Sequence, residues 1–231
     1  MTGAMARHLA AACAALALAG CSILPDGGGR SEARQQVRPG QNQLPAQAAS
    51  RPEMRQCLAG LGERQADFSP LPDRYYGAGC ETTSTVSLSA LRGDASHFEL
   101  ANLGPVSCPL ADAFAAWARF GVDRAARQML GSGLARIETM GSYSCRNVAG
   151  SERLSAHATA EAIDVAGFVL QDGRYISVQS DWSGGSRAER EFLRVIHQSA
   201  CKRLGTVLGP DYNAAHRDHL HLELTGSGFC R

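Results

Sequence analysis

Ala162-Ile-Asp-Val-Ala-Gly-Phe-Val-Leu170 is an apolar run that holds one carboxylate, Asp164, near its start. A stretch of this length and composition reads as a buried strand, and a lone carboxylate inside it needs a partner. Upstream lies Ser155-Ala-His157-Ala-Thr-Ala160. His157 precedes Asp164 by seven residues, which in extended chain would span ~23 Å. On one helix the two would stand ~10 Å apart. Ligands on one zinc sit ~2.0–2.2 Å from the ion, so the two side chains can meet only if the chain bends between them, and Ala158-Thr159-Ala160 could supply the bend. Downstream, Asp218-His-Leu-His-Leu-Glu-Leu224 alternates strictly. Leu220, Leu222 and Leu224 form one strand face, while His219, His221 and Glu223 form the other. Two imidazoles therefore look into one space, and alternation sends Asp218 to the face opposite His219.

The other elements follow from periodicity. Met54, Cys57, Leu58 and Leu61 recur at helical spacing, as do Leu110, Phe114 and Trp117. A further helix is expected over 123–130. Ser186-Arg-Ala-Glu189 reads as a capping box for the helix carrying Phe192, Leu193, Ile196 and Ala200, with Gly205 as its terminator. Strands are expected at 85–91, 97–100, 135–140, 162–170, 175–179 and 219–224, and Asp172-Gly173 supplies a hairpin turn before 175. Helices grouped in this way predict an α+β fold, with helices packed on a small antiparallel sheet where the metal-binding stretches meet. His197, among polar neighbours, reads as solvent-exposed and His97 as an edge-strand residue. His216 lies near enough to the site to touch a substrate, and Trp182 reads as a packing residue in a Gly/Ser-rich loop.

The first twenty residues carry Arg7, His8 and an apolar run from Leu9 to Ala19, too short to span a bilayer and typical of a secretory leader. The run ends in Leu18-Ala-Gly-Cys21, which looks like a bacterial lipobox. Residues 1–20 are expected to be cleaved and Cys21 to carry lipid, anchoring the chain to a membrane. Ser22 beside it resembles the signal for outer-membrane sorting, so a periplasmic location is expected. Residues 21–52 are rich in Gly, Gln, Ala, Pro and Arg and read as a disordered tether, leaving 53–231 as one domain. Of eight cysteines, Cys13 leaves with the leader and Cys21 is lipidated. Cys57, Cys80, Cys108, Cys145, Cys201 and Cys230 remain, and in an oxidising compartment they predict three disulfides whose pairing spacing alone does not choose. With 23 basic against 22 acidic residues, and the basic ones dispersed, nucleic-acid binding has no electrostatic support.

Ser-x-His-(x6)-Asp followed by His-x-His resembles the metal site of zinc D-alanyl-D-alanine peptidases and murein endopeptidases. From Cys57 to Arg231 the chain resembles the bacterial extensin-like C-terminal domain proteins, through Cys108-Pro109, Gly141-Ser-Tyr-Ser-Cys-Arg-Asn147, Leu154-Ser-Ala-His-Ala158, Ala162-Ile-Asp-Val-Ala-Gly-Phe168, Gly205-Thr-Val-Leu-Gly-Pro210 and Tyr212-Asn-Ala-Ala-His-Arg-Asp-His-Leu-His221. The resemblance implies a fold like that of those peptidases, zinc held by His157, Asp164 and His221, and His219 as catalytic base. Asp218 competes for that role, since the carboxypeptidase branch keeps a Glu at that point; orientation of a histidine is its other reading. Ser142-Tyr-Ser-Cys-Arg146 looks like the segment that supplies a substrate-binding or oxyanion-stabilising arginine. Ser155 is expected to support the loop. Where the peptidases have Gly, this chain has Ala160, which suggests an altered turn. The resemblance implies cell-wall peptides as substrate. The competing expectation is a noncatalytic wall-binding or envelope-structural lipoprotein that keeps the fold.

Overall fold

The computed structural model describes residues 51–231. The expected leader, Cys21 and nearly all of the expected tether lie outside them. In chain order the elements are α1 (Pro52–Glu63), β1 (Asp67–Pro70), β2 (Arg74–Gly77), β3 (Cys80–Thr82), β4 (Thr85–Arg92), β5 (His97–Ala101), β6 (Val106–Ser107), α2 (Cys108–Trp117), β7 (Leu134–Gly141), β8 (Ala162–Leu170), β9 (Tyr175–Ser177), α3 (Val178–Asp181), α4 (Arg187–Cys201), β10 (Thr206–Leu208), β11 (Leu220–Glu223) and β12 (Phe229–Cys230). Among the described residues one sheet runs β1-β4-β5-β7-β8-β11-β10-β12, with β6 added on β4 and β9 on β8, and β2-β3 form a separate hairpin. The class is α+β.

The sheet is larger than expected and mixed rather than antiparallel, because β5 runs parallel to β7 and β10 parallel to β12. A parallel pair needs a long crossover. Between β5 and β7 that crossover is α2, whose helical path continues through π-helical turns over 118–123 and 126–130 to Gly131. Gly131 has φ +74°, the left-handed stop that a residue lacking Cβ takes without steric cost. β5 thus lies between two strands, and His97 is an exposed residue at its first position rather than on a sheet edge.

α2 and α4 pack on β8 through aromatic rings. Phe168 meets Trp117 at 6.3 Å and Phe192 at 5.6 Å between ring centroids, and Trp117 Nε1–H donates to the Ile196 carbonyl at 2.9 Å. Each such buried side chain contributes ~1.5–3 kcal/mol through removal from water. The capping box forms as expected, with Ser186 and Glu189 each accepting the other's backbone N–H. α4 ends at Cys201 with Lys202 as its cap, so Gly205 does not terminate it. Gly205 instead passes so close to the Leu224 and Thr225 carbonyls that any Cβ would collide.

His197 is buried, not exposed: it sits on the apolar stripe of α4 between Leu193 and Ala200. Its Nε2 lies 3.2 Å from the Arg231 carbonyl, and its ring meets Trp182 edge-on. The expected strand over 175–179 stops at Ser177. There Ser177 Oγ accepts from Ser180 N while Asp181 accepts from Ser177 N, and this reciprocal cap starts α3.

All six cysteines of the described residues pair, as Cys57–Cys108, Cys80–Cys145 and Cys201–Cys230. The first ties α1 to α2. The second ties the β2-β3 hairpin to the segment ahead of His157, and the third ties α4 to β12. Among the described residues no helix is long and apolar enough to cross a membrane.

Candidate metal centre

β8 and β11 are neighbours in antiparallel register, and that register sets His221 directly opposite Asp164. The two therefore share a face, and His221 Nδ1 lies 2.8 Å from Asp164 Oδ1. His157 arrives from a single 3₁₀ turn, Ala156–Thr159. Ser155 Oγ accepts the His157 amide, supporting the loop. Ala160 closes the turn in the left-handed region at φ +56°, so the alanine adopts the conformation that glycine would favour. Its amide donates to the His157 carbonyl. This tight bend brings His157 Nε2 to 3.1 Å from Asp164 Oδ2 and 3.3 Å from His221 Nδ1. The three side chains are buried together, with their potential ligand atoms within 4.8 Å of one another.

The hydrogen bonds around this cluster leave its centre without a donor. His157 Nδ1 faces the Ser142 carbonyl at 3.1 Å and His221 Nε2 faces Glu223 Oε1 at 2.7 Å. Each of those nitrogens must carry the ring's N–H, because its partner only accepts. In the neutral rings the inward nitrogens are then lone pairs, aimed at a carboxylate that is itself an acceptor. Three acceptors with no donor among them need a proton or a metal ion at their centre. Burial alone would lower the His221 pKa, but hydrogen bonds to Asp164 and Glu223 outweigh it and raise it to about 9. Burial likewise opposes ionisation of Asp164, yet its interactions with the His157 and His221 rings hold its pKa below the usual carboxylate range.

His219 stands beside this group, with Nε2 3.5 Å from Asp164 Oδ1. β11 begins only at Leu220, so strand alternation does not govern Asp218 as expected. Asp218 folds back onto its neighbour instead, and its Oδ1 accepts from His219 Nδ1 at 2.9 Å. The structure thus pairs both candidate bases as one dyad in which Asp218 touches His219. His216 packs on His219 and His221 at 5.2 and 5.7 Å between centroids and donates Nδ1–H to Asn213 Oδ1 at 2.8 Å. Burial first, then the neighbouring histidines, push its pKa down to about 4.

The loop bearing these residues is clamped at Asp211, which accepts from Trp182 Nε1 at 2.9 Å and pairs with Arg194 at 3.1 Å. Trp182 is thereby a buried packing residue, with the Arg194 guanidinium 3.7 Å over its ring. Arg146 is exposed, and its charge acts on His216. Its backbone is fixed beside the His157 turn: the Arg146 carbonyl accepts from Ser155 N, Ser144 N donates to the His157 carbonyl, and Cys145 between them is bridged to Cys80. Sequence reasoning gave Ser142 and Glu223 no functional part. The signal for Glu223 was present, since it shares the strand face of His221. Ser142 acts through its carbonyl, which leaves no mark on residue type. Another grouping, His197 with Cys201 and Cys230, offers no thiolate because both cysteines are in a disulfide.

No curated protein and no solved structure matches the chain. The family described as extensin-like protein C-terminus matches residues 55–231, which takes in every residue of the candidate centre. The chain therefore belongs to the extensin-like protein C-terminus family.

Proposed function

We propose that this protein is a zinc metallopeptidase that hydrolyses peptide bonds of the bacterial cell wall from a lipid anchor on Cys21, in the periplasm and on the outer membrane. The observation that carries the reading is the convergence of His157 Nε2, Asp164 and His221 Nδ1, with a separate imidazole, His219, alongside. A donor set of two imidazoles and one carboxylate suits zinc, and three protein ligands characterise catalytic rather than structural sites. This supports the likeness to the D-alanyl-D-alanine peptidases and murein endopeptidases in the way the fold brings the centre together.

His157, Asp164 and His221 would hold the ion, which when bound supplies Lewis acidity and lowers the pKa of water to ~7. His219 handles the proton. Asp218 accepts its Nδ1–H, which leaves the Nε2 lone pair to take a proton from the attacking water and pass it to the departing amine. Arg146, held beside the His157 turn, offers positive charge for the oxygen on which negative charge develops. Asp218 acts by fixing the tautomer of His219 rather than as the base itself.

The test pairs metal analysis of the purified domain with digestion of muropeptides. We expect one zinc per chain and cleavage by the wild type, with His219→Ala keeping its zinc and losing on the order of 10²–10⁴ in rate. Stoichiometric zinc with no cleavage of any muropeptide would instead favour a wall-binding lipoprotein.

A further inference from the structure

We infer that Glu223 is a positioning residue of the metal centre: its carboxylate sets which nitrogen of His221 faces Asp164. The inference rests on the zinc reading above and adds a residue to it. A neutral imidazole has one N–H and one lone pair, so it can present either nitrogen to a metal. Residues 221 and 223 lie two apart on β11 and share a face, and Glu223 Oε1 is 2.7 Å from His221 Nε2. A carboxylate there accepts, so Nε2 bears the hydrogen. The lone pair is thereby assigned to Nδ1, the atom 2.8 Å from Asp164 Oδ1 and 3.3 Å from His157 Nε2.

The two candidate imidazole ligands are held by acceptors of different kinds. For His157 the acceptor is the Ser142 carbonyl, part of the backbone, whereas for His221 it is a side chain that substitution can remove. The strand does not depend on that side chain. Glu223 is fixed by its backbone, through register with Ala162 of β8 and Thr206 of β10 and through its carbonyl, which accepts from Gly205 N at 3.0 Å. A change at 223 can therefore alter the orientation of His221 while the sheet stays paired.

The experiment measures zinc affinity by competition with a chromophoric chelator, together with the His221 tautomer from long-range proton–nitrogen correlation in the zinc-loaded protein. In wild type the His221 proton is expected on Nε2, with Nδ1 bound. Glu223→Ala should weaken zinc binding about 10–100-fold. Glu223→Gln, which keeps an acceptor oxygen, should recover most of the loss. Unfolding of the metal-free variants checks that the fold survives, a readout that a merely structural residue would change. If wild type and Glu223→Ala bind zinc equally with the same tautomer, this inference fails and the zinc reading stands. If wild type binds no zinc at all, the zinc reading fails and takes this inference with it.

Discussion

Burial acts on His197 and His221 in the same direction, and their partners separate the outcomes. At His221 the carboxylates of Asp164 and Glu223 reverse the effect of burial. At His197 burial prevails: the Arg231 carbonyl and Asp211 pull its pKa up only in part, Arg194 adds to the lowering, and it stays below the usual histidine value. Above about pH 6.5 both folded and unfolded chains keep a neutral residue 197, so it costs nothing. Below that value the unfolded chain binds the proton first, and the contribution to stability falls as pH falls. Urea unfolding between pH 5 and 8 should show wild type losing stability relative to His197→Gln on the acid side; parallel pH profiles would contradict this. For Asp218 the expected outcome is kinetic: Asp218→Asn keeps full zinc occupancy, yet muropeptide turnover drops by on the order of 10²–10⁴, because the wrong tautomer of His219 is favoured. Asp164, His219 and His221 were legible because a carboxylate in an apolar run and alternating histidines are patterns of residue type. The burial of His197 had a signal that polar neighbours masked, since it lies four residues after Leu193 and three before Ala200, on their stripe.

At the scale of elements, long periodic segments were readable, as were the short strands β9 and β11, and the other short strands were not. β8 was anticipated at its observed bounds, and α4 starts at the box formed by Ser186 and Glu189. Replacing Ser186 with Ala removes an acceptor for the Glu189 amide and should cost about 1 kcal/mol in denaturant unfolding. β1, β2, β3, β6, β10 and β12, none longer than four residues, carry too few positions for a period to show, and neighbouring strands rather than their own sequence hold them. β2-β3 illustrates the point. Every residue of β2 is exposed, and β3 is buried only at Cys80 and Thr82. The hairpin is held to the rest by the Cys80–Cys145 bridge and by the ring of Tyr76, 5.2 Å from Tyr143. Removing the bridge with paired serine substitutions should cost up to about 4 kcal/mol, as expected for a loop of this length. It should also speed amide exchange over 74–82, while α4 keeps its protection.

For the molecule as a whole, class and core could be inferred from the chain, but the mixed sheet could not. The parallel pairing of β5 with β7 is decided by where the α2 crossover lands, and no local pattern records it. The large buried side chains of Trp117, Phe98, Phe114, Phe168 and Phe192 and three disulfides hold the domain together without reference to a metal. A chelator should accordingly leave it folded, unlike a zinc finger. Zinc at about a hundred times its dissociation constant should add ~2.7 kcal/mol, seen as a rise in melting temperature that EDTA reverses. The pairing of His221 with Asp164 across β8 and β11 has a further outcome during folding. Sliding β11 by one residue would turn His221 toward the helices and put a leucine beside Asp164 in its place. If the proposed zinc site holds, ion uptake becomes a test of assembly: chains that align β11 wrongly on β8 should take up no metal, so the loaded fraction of a refolded sample should count the molecules that paired the two strands correctly.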